Sequence, residues 1–148
     1  MPATLIVAQP PAIYAARQPL VVDASVLAAA LFGEDQHELA VSWMRGHALA
    51  APQLVDYEIA NIALSKLKRK QVDFDAAAQS LALYAGLDIT RMPTSIDGVY
   101  ALAAQYQLTA YDAAYLWLAA QLKAPLATFD RRLGEAAQAC LGALGATS

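Results

Sequence analysis

The stretch Leu20–Phe32, LVVDASVLAAALF, constrains the fold of this chain more than any other. Leu20, Val21 and Val22 form a short apolar run, rich in β-branched residues, as a buried strand requires. The run stops at a carboxylate, Asp23; Ser25 follows, and an Ala- and Leu-rich segment with helical character begins. A strand that ends in Asp and turns straight into a helix sets that acid at the carboxyl edge of a parallel sheet. Ligands bind at that edge in open α/β folds. Asp is a poor strand former and folding requires no acid there, so Asp23 points to function.

The remaining elements alternate in the same way. Strand one is expected over 20–23, with a helix ending near Gly33 and another from Glu34 to about His47. Ala48–Ala51 reads as a second strand closed by Pro52. From Val55 to about Lys70 runs VDYEIANIALSKLKRK, with Ile59, Ile62, Ala63 and Leu67 at helical spacing. Glu58 and Asn61, three apart, share a neighbouring face of that helix. Phe74–Tyr84 reads as a helix stopped by Gly86, and Leu87–Thr90 as strand three. Ser95–Tyr106 is helical, and Thr109 is placed to cap a helix over Ala110–Lys123. Pro125–Thr128 gives strand four, leading to Asp130 and a last helix over about Arg132–Cys140. Short apolar strands alternating with helices predict one α/β domain, a parallel sheet covered on both faces. Residues 1–19, Pro- and Ala-rich, read as a tail or extension ahead of a domain spanning 20–148.

Composition sets the outer bounds. At 148 residues the chain is long enough for a single sizeable core, and 58% of it is hydrophobic against 16% charged. Arg, Asp, Gln or Pro interrupts every apolar stretch before membrane-spanning length, so a soluble protein is expected. The N-terminal run is broken by Pro10-Pro11 and lacks a basic start; it does not read as a signal peptide. A single cysteine, Cys140, allows no internal disulfide and fits a reducing cytoplasm. His37 and His47 share no ligand-like spacing. The net charge of −3 would weigh against a nucleic-acid partner, but with four acids neutralised by metal the remainder is +1.

Four acids stand where folding alone would not put them. Asp23 and Asp130 follow strands, Glu58 interrupts an apolar helix turn, and Asp112 opens a helix. Parallel strands bring Asp23 and Asp130 to one edge, and returning helices bring Glu58 and Asp112 beside them. Close carboxylates cannot all stay ionised without a compensating charge. Mg²⁺ or Mn²⁺ supplies it through oxygen ligands and keeps waters free for phosphodiester hydrolysis. Three of the acids have a plainer reading taken singly: helix-dipole complement for Asp112, helix cap for Asp130, solvated edge residue for Glu58; Asp23 after a buried strand is the hardest to explain that way.

The ordered set VVDASVL, VDYEIANIALSKLKRK, LTAYDAAYLWLA and ATFDRRL resembles the PIN-domain nucleases, and among them the VapC-like toxins of type II toxin–antitoxin pairs. The resemblance runs from about Leu20 to Ala139. It implies a three-layer α/β/α sandwich around a parallel sheet of four to five strands, and a metal-dependent endoribonuclease. It also implies Asp23, Glu58, Asp112 and Asp130 as metal-binding acids, with Ser25, Asn61 and Thr128 in support. An RNA substrate, a cognate antitoxin, a homodimer and no membrane association follow from the same likeness. Two departures stand out: the tail precedes the usual start of such domains, and LGALGATS forms a poor fifth strand.

Arg131 and Arg132 are candidate RNA contacts, equally readable as solvated charges; Lys66 is a further candidate, in the basic cluster Lys66–Lys70 that a charged helix end explains better. Tyr111, Tyr115 and Trp117 have the chemistry to stack on bases, though such aromatics more often fill cores or dimer contacts. A haloacid-dehalogenase phosphatase would need a second acid where Ser25 stands. A response-regulator receiver would need paired acids and a Lys that are not evident. Two other readings stay open: a catalytically silent PIN fold acting as a binding module, and a PIN nuclease of RNA maturation without an antitoxin.

Overall fold

A computed structural model of the chain describes residues 4–6, 8 and 17–142. Strands β1 (Gln18–Val22), β2 (His47–Pro52), β3 (Ile89–Met92) and β4 (Leu126–Ala127) form one sheet in the order β3-β2-β1-β4, every pair parallel. Leu20, Val21 and Val22 are all fully buried. Successive strand residues point to opposite faces, so burial of all three means both faces of the sheet are covered. Each such side chain contributes about 1.5–3 kcal/mol by leaving water.

The covering helices fall into two groups. On one side α1 (Ala24–Phe32), α2 (His37–Met44), α3 (Val55–Lys68) and α4 (Phe74–Ala85) pack together. In the other group α6 (Ala110–Leu122) lies on β1, β2 and β4, flanked by α5 (Ile96–Tyr106) and α7 (Arg131–Leu141). This is the three-layer α/β/α arrangement expected from the alternation. Helix α6 buries Ala113, Ala114, Tyr115, Leu116, Leu118 and Ala119, more than the single stripe its spacing suggests, because it meets the sheet and two helices at once.

The helix starts are set by side chains that accept orphan N–H groups. Asp73 caps α4, Ser95 caps α5 and Thr109 caps α6 by accepting from the Asp112 N–H at 3.1 Å. Gly33 closes α1 in the left-handed conformation, φ 65°, which a glycine adopts without a side-chain clash.

Several expected boundaries move. The first strand runs from Gln18 to Val22 rather than over 20–23, so two residues expected in the tail belong to β1. Pro19 is tolerated inside it because β4 pairs only with Val21 and Val22, leaving the Pro19 level with β2 alone. Asp23 leaves the strand for the cap of α1. The helix expected over 34–47 is only His37–Met44, and His47 opens β2. Strand three shifts from 87–90 to Ile89–Met92, in register with Leu49–Pro52. The sheet has four strands among the described residues. The doubtful fifth strand at the C-terminus falls largely on 143–148, outside them.

Candidate active site

Asp23 sits at the carboxyl end of β1 and is 5% exposed, the one buried charged residue among those described. Its backbone N–H donates to the Ala127 carbonyl at 3.2 Å, which ties it to β4. Its side chain is held on both oxygens. Oδ1 accepts from the Ser25 hydroxyl at 2.6 Å and from the Val26 N–H at 3.1 Å; Oδ2 accepts from the Thr128 hydroxyl at 2.5 Å. The two hydroxyl oxygens in turn accept from backbone, Ser25 from the Phe129 N–H and Thr128 from the Asp130 N–H, each at 2.9 Å. The carboxylate is thus fixed in direction by both the α1 start and the loop after β4.

Glu58, half-buried in the first turns of α3, accepts from the Tyr115 hydroxyl at 2.6 Å through Oε1. Asp112 lies half-buried in the first turn of α6. Asp130 is exposed at the cap of α7, where its Oδ1 accepts from the Leu133 N–H at 3.1 Å. Capping therefore occupies one oxygen of Asp130 and leaves the other free.

The charges of these acids act on one another. Burial raises the pKa of Asp23 despite its three donors, and the charge of Asp112 raises it further. Burial also raises Glu58, against the Tyr115 bond, with Asp112 and Asp23 adding to the rise. Asp112 is raised by burial and then by Asp130, and pulled down by Thr109 and Arg132. Four carboxylates at one sheet edge, with Arg132 the cation that acts on Asp112, leave uncompensated negative charge.

That donor set suits a hard divalent cation, since all its ligand atoms are oxygens and their charges need neutralising. Among the described residues, no three acids, histidines or cysteines stand close enough to enclose a metal ion. The fit therefore lies in donor type and charge. An apolar cavity of about 990 Å³ beside β4, lined by residues such as Trp43, Leu126 and Leu141, includes none of the four acids.

The other sequence candidates divide. Ser25 and Thr128 both bond Asp23, whereas Asn61 is exposed on α3, one turn beyond Glu58. Arg132 donates to the Gln107 carbonyl at 3.1 Å and stays near enough to Asp112 to lower its pKa. Arg131 pairs with Glu135 on its own helix at 2.9 Å. Lys66 pairs with Glu34 at 2.9 Å and lies 5.4 Å from the Phe32 ring centre. Tyr115 is 1% exposed and cannot stack on a base, while Tyr111 is largely exposed. The bond from Tyr115 to Glu58 was not foreseen: its apolar helical spacing gave a core residue, and only the pairing of α3 with α6 reveals the partner. Tyr84, Asp56 and Arg91 form a second unforeseen cluster, away from the four acids in the hydrogen-bond network.

Comparison with known proteins identifies the class. The family profile described as PIN domain matches residues 20–139. Ribonuclease VapC3 of Pyrobaculum aerophilum is 34% identical over 123 residues, 78% of this chain and 92% of that protein. Ribonuclease VapC9 of Mycobacterium tuberculosis is 34% identical over 122 residues, 81% of this chain and 92% of that protein. Among solved structures, PAE2754 from P. aerophilum superposes with a TM-score of 0.65 at 26% identity, covering 86% of this chain and 90% of its own. The M. tuberculosis toxin VapC20, described as cleaving the sarcin–ricin loop, gives a TM-score of 0.58 at 16% identity over 79% of this chain and 94% of its own. The chain belongs to the PIN-domain family. Within that family it is VapC-like.

Proposed function

We propose that this protein is an endoribonuclease that hydrolyses RNA phosphodiester bonds as the toxin of a toxin–antitoxin pair. The observation that carries the reading is the PIN-domain match over residues 20–139, a span that includes Asp23, Glu58, Asp112 and Asp130. Relatives at 34% identity over most of the chain, named VapC ribonucleases, support it.

Asp23, Glu58 and Asp112, with Asp130 alongside, are the residues that would hold Mg²⁺ or Mn²⁺. When bound, such a cation supplies an activated water and offsets the charge developing on the scissile phosphate. The chain's own contribution is orientation: Ser25, Thr128 and the Val26 N–H fix Asp23 from two sides. Arg132, exposed beside Asp112, brings a cation to the edge where a phosphate backbone would lie. Arg131 and Lys66 add positive charge only after leaving their present acidic partners.

The same reading carries an antitoxin as protein partner, a homodimer and a cytoplasmic setting. Exposed Tyr57 and Leu64 on α3, and Ile96 and Tyr100 on α5, supply apolar surface for such protein contacts. No described helix is long and apolar enough to cross a membrane.

Induced expression of the chain in a bacterial host, beside an Asp112→Asn variant, tests the toxin reading. Growth arrest with fragmented RNA, both absent in the variant, is the expected result. Normal growth with intact RNA at matched protein levels would leave the PIN fold as a silent binding module.

A further inference from the structure

We infer that Tyr115 is a positioning residue of the candidate active site, aiming the Glu58 carboxylate through the hydroxyl it donates to Oε1. The inference rests on the reading of Glu58 as a cation ligand. Tyr115 is among the largest fully buried side chains, and the hydrogen bond to Glu58 spans 57 residues of sequence at 2.6 Å. The ring alone would fill the same core space in a phenylalanine. A buried hydroxyl costs free energy unless it finds an acceptor, and the acceptor here is a carboxylate at the functional edge.

Placement on the helix adds a second argument. Tyr115 lies three residues after Asp112, one turn further along α6. A single rigid helix therefore presents one acid to the site and orients another acid carried by α3. With Oε1 held by the phenol, Oε2 is the oxygen left free to face a cation. Partners of this kind, bonded to a ligand rather than to the metal, typically change metal affinity about 10–100-fold when removed.

The test is Mn²⁺ binding to the metal-free protein, followed by calorimetry or by the electron paramagnetic resonance of free Mn²⁺. It compares wild type, Tyr115→Phe, Glu58→Gln and the double variant. Circular dichroism and melting temperature first establish that Tyr115→Phe is folded. Mn²⁺ affinity about tenfold weaker in Tyr115→Phe is expected, with little further loss when the change is added to Glu58→Gln. Unchanged affinity in a folded Tyr115→Phe would overturn the positioning role and leave the bond as a tie between α3 and α6. An equal loss in the Glu58→Gln background would overturn it too, since the hydroxyl would then act elsewhere. Absence of Mn²⁺ binding by the wild type would instead overturn the metal-site reading itself.

Discussion

The Thr128 hydroxyl donates to Oδ2 of Asp23 across 105 residues of sequence, and its oxygen accepts the N–H of Asp130. One side chain therefore joins the acid after β1 to the loop that carries the acid before α7. Thr128→Val keeps the shape and removes the donor. A hydrogen bond to a buried charge is worth about 1.5–3 kcal/mol. The variant is expected to lose that order of stability at neutral pH, measured by denaturant unfolding, with a smaller loss at acid pH where Asp23 takes up its own proton. Equal losses at both pH values would show that the hydroxyl does not serve the ionised carboxylate.

Gly98 faces Trp117 across the contact of α5 with α6. A Cβ built at Gly98 would collide with the Trp117 Nε1 atom and stand 2.6 Å from Cδ1. Helix propensity alone favours Ala over Gly by about 1 kcal/mol, but the clash opposes it. Gly98→Ala is expected to destabilise by about 1–3 kcal/mol, with a shift in tryptophan emission as Trp117 is displaced. Adding Trp117→Leu should return most of the loss. A more stable Gly98→Ala would contradict the packing.

Stability of the metal-free protein should depend on pH in an unusual direction. Asp23, Glu58 and Asp112 have pKa values raised above their ordinary 3.8, 4.5 and 3.8. A carboxyl raised in the folded state favours folding below its ordinary pKa, and that gain is lost as pH rises through the raised value. In EDTA the melting temperature is therefore expected to climb as pH falls from neutrality into the weakly acid range. Asp56 runs the other way: burial would raise it, but the Tyr84 hydroxyl and Arg91 outweigh burial and hold it below 3.8. Its contribution is lost only at lower pH, as it takes up a proton. Mn²⁺ should flatten the neutral limb by satisfying the acids. A melting temperature that falls steadily from neutrality in EDTA would refute the coupling.

Arg131 and Arg132 are adjacent but differently placed. Arg131 is tied to Glu135 in solvent, a pair worth well under 1 kcal/mol. Arg132 acts on Asp112. Arg132→Ala is expected to lower RNA cleavage about tenfold or more, and Arg131→Ala less than threefold, with stability in both variants nearly unchanged. Equal effects on cleavage would mean that both act through general positive charge.

Much of this was legible in the sequence because the local signals agreed. The apolar run before Asp23, the cap at Thr109 and the alternation of strands with helices each pointed to the same α/β sandwich, and the PIN-domain resemblance followed from the order of the four acidic motifs. Boundaries moved where tertiary pairing outweighs local preference. Gln18 and Pro19 join β1 because β2 pairs with them, and His47 joins β2 for the same reason. Asp23 proved to be a helix cap as well as a strand-end acid, since its two oxygens serve different neighbours. The Tyr115–Glu58 bond could not be read locally, because nothing in either helix alone names its partner.

The central claim is that acids at this edge cut RNA with a divalent cation. The most direct test is the initial rate of cleavage of total RNA by purified protein in Mg²⁺, Mn²⁺ or EDTA, beside Asp23→Asn. Cation-dependent cutting that is absent in EDTA and falls by at least a hundredfold in the variant is the predicted result. Folded protein, free of bound inhibitor, that cuts under none of these conditions, or cuts equally well as Asp23→Asn, would contradict it.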